Sequence, residues 1–216
     1  HEQYIMKALD SFLMQKINVR VEILVNDDAS TDKTAQIVKM YEEKNPHLFV
    51  NFYQTVNQYS LGKKPWYLLF PKARGKYIAI CDGDDYWIDP LKLQKQFDYM
   101  QNNPDYWMIY TKVKRCNTQG QKVMFLKFGG PDVSFYDLLK NGSKIPTLTA
   151  LFKKNIYEDY INDIKPEKHK WLMGDYPLWL YIALNGKIHF LNESTGVYRI
   201  GQNTLSNTLN WEKRKA

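Results

Sequence analysis

The chain has 216 residues, a formal charge of +7, and a composition 44% apolar and 15% aromatic. That apolar and aromatic load excludes a disordered chain, and 11 Gly with 9 Pro exclude a collagen-like one. The length suits a single domain, and the longest apolar run, Tyr176 to Leu184, is about half of what a membrane-spanning helix needs.

Two cysteines, Cys81 and Cys116, are too few for a disulfide framework, as expected in a reducing compartment. The basic excess is mostly scattered lysine, which reads as a solvated face. The same field attracts an anionic substrate, a nucleotide or an acidic membrane surface. A short basic-aromatic stretch, Trp211 to Lys215, is a candidate for such a surface.

In chain order, Ile5, Ala8, Leu9, Phe12 and Leu13 fall at helical spacing. Val21 to Val25 is a β-branched run, read as a buried strand. It leads into the polar loop Asn26 to Asp32, and Thr34 to Lys44 predicts a helix ended by Asn45-Pro46. Leu48 to Tyr53 predicts a strand. Gly62, Pro65, Pro71 and Gly75 punctuate a mixed stretch with a helix near Trp66 to Phe70. Tyr77 to Cys81 predicts a third buried strand, running into Asp82-Gly83-Asp84-Asp85, and Leu91 to Gln101 a helix stopped before Pro104.

The second half is less regular. Trp107–Tyr110, Val123–Leu126, Leu148–Phe152, Lys187–Leu191 and Gly196–Ile200 read as short strands. Ser134 to Lys140 predicts a helix with Ser134 as N-cap, Ile156–Ile161 a helical turn or two, and Tyr176–Asn185 a helix with Asp175 at its start. Strands alternating with helices predict a mostly parallel α/β sheet, whose ligands bind at the carboxyl ends of its strands. Both acidic clusters sit at such ends.

Asp82, Asp84 and Asp85 repel one another unless a cation or hydrogen-bond donors balance them. Hard divalent ions favour such oxygen ligands, and Mg²⁺ commonly takes one or two carboxylates plus substrate phosphates. An exposed acidic turn is the plainer reading of the bare triplet. For Asp27 and Asp28, capping of the next helix by Ser30 or Asp32 accounts for part of the loop but not for paired acids directly after a strand. A carboxylate there can accept a base N–H or contact a ribose hydroxyl. Asp175 is favoured at a helix start by the macrodipole. An ionised carboxylate within reach of a hydroxyl is also a candidate general base.

Glu22-Ile23-Leu24-Val25-Asn26-Asp27-Asp28-Ala29-Ser30-Thr31-Asp32-Lys33-Thr34 resembles the nucleotide-binding signature of family 2 glycosyltransferases. Gly75-Lys76-Tyr77-Ile78-Ala79-Ile80-Cys81-Asp82-Gly83-Asp84-Asp85-Tyr86-Trp87 resembles that family's Asp-x-Asp region, and Asp89 to Gln96 is similar to bacterial members that build surface polysaccharides. The resemblance covers residues 1 to 105 well and the rest through Gly174-Asp175 and Tyr198-Arg199. It implies a single GT-A domain, with a nucleotide-binding half over about 1–110 and an acceptor-binding half over about 111–216.

The implied activity is inverting transfer from a nucleotide-sugar, a UDP-sugar in expectation, to a glycan or lipid-linked acceptor, dependent on Mg²⁺ or Mn²⁺. Asp27 and Asp28 would meet the base or ribose, Asp82 the ribose and metal, and Asp84 the metal. Arg199 would lie near the diphosphate and Lys63 or Lys64 near the base. Asp175 would be the base, with Trp171 and Tyr176 at the acceptor. The family default is a cytoplasmic enzyme at the inner membrane face, peripherally associated; no nucleic-acid motif is present. The sequence departs from the family at Gly174, where a Glu is usual. The resemblance also implies a further apolar strand upstream of His1, between the strands carrying the two acidic clusters. An aspartyl phosphatase, a two-carboxylate glycoside hydrolase and an inactive GT-A-like carbohydrate-binding or interaction module are the rival readings. A phosphatase wants Thr or Val where Tyr86 stands, and a hydrolase leaves the strand-end Asp pairs unexplained.

Overall fold

The computed structural model describes residues 1–123, 130–131, 133–169, 171 and 173–201. Helix α1 (Ile5–Leu13) buries Ile5, Ala8 and Leu9, the face its periodicity predicts. Strand β1 (Ile23–Asp27), helix α2 (Thr34–Lys44) and strand β2 (Phe49–Tyr53) follow. β1 and β2 pair in parallel, Ile23 opposite Phe49 and Asp27 opposite Tyr53. Ile5, Leu9, Val38 and Phe49 form the small core that joins this pair to α1 and α2. Asp32 supplies the expected cap: its Oδ1 accepts from the Thr34 amide at 2.9 Å.

The second sheet holds β3 (Tyr77–Ala79), β4 (Tyr86–Trp87), β5 (Tyr106–Asn117), β6 (Leu151–Lys153) and β7 (Lys187–Ile200), in the order β3-β6-β5-β7-β4. Its longest ladder, β5 with β7, is parallel; the three short ones are antiparallel. The sheet is therefore mixed, with most of its paired length parallel. Two- and three-residue strands carry no alternation from which a pairing direction can be read. Helices α3 (Pro65–Leu69), α4 (Lys92–Asn102), α5 (Phe135–Asn141), α6 (Lys154–Ile164) and α7 (Asp175–Asn185) cover the sheets. The main core includes Phe70, Ile78, Tyr110, Phe152, Tyr157, Trp179 and Ile188.

Several elements differ from the expectation. The strand expected over 107–110 runs from Tyr106 to Asn117. The helical turns expected at 156–161 are the eleven-residue α6. The two strands expected over 187–200 are one, β7, whose register against β5 shifts around Lys112. The strand expected at Leu148 begins as a 3-10 turn, Thr147–Thr149, before β6. Of the expected 123–126 strand, residues 124–126 lie outside the described residues, as does the 211–215 stretch. The Ser134 cap is present: its Oγ accepts from the Asp137 amide, and the Asp137 carboxylate accepts from the Ser134 amide.

Among the described strands β1 does not pair with β3. A cavity of about 2250 Å³ lies between them, walled by Ile23, Leu24 and Val25 on one side and Ile78, Ala79 and Ile80 on the other. Among the described residues no helix is long and apolar enough to cross a membrane.

Candidate active site

The polar end of this cavity gathers residues from both halves of the chain: Asp27 and Asp28 from the end of β1, Asp82, Asp84 and Asp85 after β3, and Asp175 from the start of α7. Lys64, Arg199 and Thr147 also line it. The acidic clusters, separate in sequence, thus share one cleft at their strands' carboxyl ends.

The paired acids of β1 divide in role. Asp28 accepts the Gln58 amide at Oδ1 (2.7 Å) and the Tyr59 amide at Oδ2 (2.9 Å), which fastens the 57–60 loop across the strand end. Asp27 is buried. Its Oδ2 accepts the Ser30 amide at 3.1 Å, while Oδ1 has no hydrogen-bond partner among the described residues. A buried acceptor left unpaired costs about 1–3 kcal/mol. Asp27 thus keeps an unpartnered buried acceptor, while Asp28 shapes the wall.

The second cluster is electrostatically strained. Asp82 meets solvent in the cavity but is otherwise enclosed by protein. Desolvation, with Asp84 and Asp175 nearby, pushes its carboxyl up to about 7. Among the described residues no donor bonds its side chain. Asp84 is raised mainly by desolvation, against the pull of Arg199. Asp85 is buried and accepts the Arg199 amide at Oδ1 (2.7 Å); desolvation, then Asp82 and Asp84, push it up to about 9. Through that bond Asp85 ties β7 to the motif. Gly83 allows the close approach of α1, since a Cβ there would stand 3.2 Å from Ile5 Cδ1.

Arg199 is buried and held in place. Its Nε donates to the Asp84 carbonyl (2.9 Å), its Nη1 to the Asn117 carbonyl (3.2 Å), and its guanidinium stacks over Tyr4 at 4.3 Å. It lines the cavity as a fixed positive wall beside Asp84.

Asp175 opens α7, where the macrodipole favours its charge. Its Oδ1 accepts the Tyr176 amide at 2.9 Å and its Oδ2 the Thr147 hydroxyl at 2.6 Å. Lys64 stands close enough to interact electrostatically with it; burial lowers the Lys64 ammonium, and Asp175 partly offsets that. Gly174, the departure from the family pattern, lies against Lys64: a Cβ there would sit 3.5 Å from Lys64 Cγ, ordinary contact.

Three expected site residues do not line the cavity. Lys63 is exposed and donates to Gln58 Oε1. Trp171 is exposed and stacks on His169. Tyr176 packs against the main core, and its hydroxyl donates to the Leu138 carbonyl at 2.8 Å. Trp171 and Tyr176 were expected there for nearness in sequence to Asp175. A helix turns neighbouring side chains about 100° apart, and Tyr176 faces α5. Residues the sequence did not single out for the cleft are Tyr59, Asp85 and Thr147. Asp85 alone had a signal, as part of the triplet.

The profile describing glycosyl transferase family 2 matches residues 1–160. The chain belongs to glycosyl transferase family 2. Among curated relatives, the uncharacterized Mycobacterium tuberculosis protein Rv1520 is 31% identical over 99% of this chain and 60% of its own length. The Escherichia coli UDP-Glc:alpha-D-GlcNAc-diphosphoundecaprenol beta-1,3-glucosyltransferase WfgD is 27% identical over 94% of this chain and 75% of its own. The chain thus spans about three fifths of the first relatives it matches. Staphylococcus aureus TarS 1-349 in complex with UDP-GlcNAc superposes with a TM-score of 0.70 at 21% identity, over 97% of this chain and 58% of that one. The Pyrobaculum calidifontis mannosyltransferase PcManGT in complex with GDP-Man and Mn²⁺ gives 0.62 at 19% identity, over 92% and 53%. These likenesses establish the GT-A fold, in keeping with the family.

Proposed function

We propose that this chain is an inverting, metal-dependent transferase moving a sugar from a nucleoside diphosphate donor, a UDP-sugar by our reading, to a glycan or lipid-linked acceptor. The convergence of Asp27, Asp82, Asp84 and Asp175 on one cavity carries the reading. TarS is seen with UDP-GlcNAc and PcManGT with GDP-Man and Mn²⁺, which supports a nucleotide-sugar donor and a divalent ion.

The donor set fits such an ion. Asp82, pushed up to about 7 beside Asp84 and Asp175, has the crowding of hard oxygen atoms that a divalent cation relieves. Asp82 and Asp84 would hold Mg²⁺ or Mn²⁺, which when bound supplies charge neutralisation at the leaving phosphate. Asp27, which lines the cavity, accepts from the base or ribose. Arg199 keeps a fixed positive charge beside Asp84, and Lys64 one beside Asp175.

Asp175 takes the proton of the acceptor hydroxyl as its oxygen attacks the anomeric carbon. The nucleoside diphosphate leaves on the opposite face, which inverts the configuration. We place this chemistry in the cytoplasm, at the inner face of the membrane where lipid-linked acceptors lie.

The test is Asp175→Asn, assayed by donor turnover and by calorimetric titration of UDP with Mn²⁺. A positioned general base contributes roughly 10²–10⁴-fold, so turnover falls by that factor while nucleotide affinity stays. Unchanged turnover removes Asp175 from the role.

A further inference from the structure

Asp175 is held by a contact from far along the chain. The Thr147 hydroxyl donates to its Oδ2 at 2.6 Å, and the Tyr176 amide donates to Oδ1 at 2.9 Å. Each carboxylate oxygen is thus tied to a different element, which fixes both torsions of the side chain. The hydroxyl contact has the short distance of a charge-assisted hydrogen bond.

The 3-10 turn Thr147–Thr149 that presents this hydroxyl is itself pinned from beneath. The Trp87 indole Nε1 donates to the Leu148 carbonyl at 2.7 Å, and the buried Gln96 amide donates to the Thr149 carbonyl at 2.7 Å. The Thr149 hydroxyl donates to the Pro146 carbonyl at 2.7 Å. The buried Lys92 ammonium orients Gln96 from the other side, donating to its Oε1 at 2.8 Å. Trp87 belongs to β4, directly after the Asp-x-Asp motif, and Gln96 to α4. The turn therefore joins the donor motif's strand to the start of α7. Such a buried hydrogen-bonded network is stiff, because every bond in it is costly to leave unmade.

We infer that Thr147 is a positioning residue: its hydroxyl aims the Asp175 carboxylate at the acceptor, from a turn whose place is set by Trp87 and Gln96. This rests on the reading of Asp175 as general base. A base displaced by a fraction of an ångström loses alignment with the hydroxyl it deprotonates, while the donor, bound through other residues, is unaffected.

Wild type, Thr147→Val, Thr147→Ser and Asp175→Asn are compared for turnover of a panel of uridine, guanosine and thymidine diphosphate sugars with Mn²⁺. Thermal melting of each variant confirms folding. Thr147→Val keeps the size of the side chain and removes the hydroxyl. It should lower kcat about tenfold to a hundredfold on the donor that wild type uses, with donor KM within about twofold. Thr147→Ser restores the hydroxyl without the methyl and should recover most of the rate. A packing role would instead leave Thr147→Ser impaired and Thr147→Val active, which overturns the inference. Thr147→Val at wild-type rate, with Asp175→Asn inactive, overturns the inference alone. Asp175→Asn at wild-type rate, or no donor turned over by wild type, overturns the reading of the base and the inference with it.

Discussion

Lys92 is fully buried beneath the site, its ammonium 4.2 Å over the Trp87 ring and bonded to Gln96 Oε1. Desolvation lowers it from 10.5 to about 7, against the smaller favourable influence of Cys81 and Asp89. The unfolded chain holds this proton up to the ordinary lysine value, so between the two pKa values the unfolded state binds more protons. Stability from this group is complete above about 10.5 and is lost as the pH falls towards about 7. At about 1.36 kcal/mol per unit, the penalty is roughly 4 kcal/mol at pH 7 and roughly 2 kcal/mol at pH 9.

Lys92→Met keeps the length of the chain and removes the titration. It leaves Gln96 Oε1 without its donor, at a pH-independent cost of about 1–3 kcal/mol. The variant should therefore match or exceed wild type at pH 7 and lose that advantage by pH 9. The difference between the two proteins moves by about 2 kcal/mol over this interval. Urea unfolding of both at pH 7 and pH 9 measures it, with other titrating groups largely cancelling. A difference constant to within about 0.5 kcal/mol would refute the reasoning, because it would mean that folding does not perturb this lysine.

Gly186→Ala places a Cβ 2.3 Å from Trp107 Cδ2, and the forced repacking should cost about 1–3 kcal/mol, read as a melting temperature several degrees lower. Ser134→Ala removes the capping box of α5 and should cost about 1 kcal/mol, a fall of about 2–4 °C by calorimetry. Asp82, raised to about 7, must lose its proton to take a divalent ion. Mn²⁺ affinity in the presence of UDP should then rise by up to about tenfold per pH unit below 7 and level off above it; Asp82→Asn should flatten that slope, and a flat wild-type profile would remove Asp82 from the metal site.

The acidic clusters of the cleft were legible because their signal is written locally. An apolar β-branched run followed at once by acids announces both the strand and the cluster at its end, and α2 runs over the residues expected of it. The division of labour between Asp27 and Asp28 was not legible, since it depends on amides of residues 58 and 59 brought in by the chain's path. Thr147 was invisible for the same reason: its significance is one contact to a residue 28 positions away. β5 was read too short because Lys112, Lys114 and Arg115 interrupt its apolar pattern, although pairing with β7 continues to Asn117. The periodicity reports burial, and a strand whose later half is only partly buried has less of it to report.

β1 pairs on one side only among the described strands, and in a parallel ladder successive residues point their amides to opposite edges. The amides of Ile23 and Gln54 mark the edge bonded to the β2 side. Those of Leu24 and Asn26 therefore face the apolar gap. Deuterium uptake along this strand should alternate residue by residue, slow at positions 23, 25 and 27 and fast at 24 and 26. A five-residue stretch thus becomes a gauge of whatever comes to lie against it.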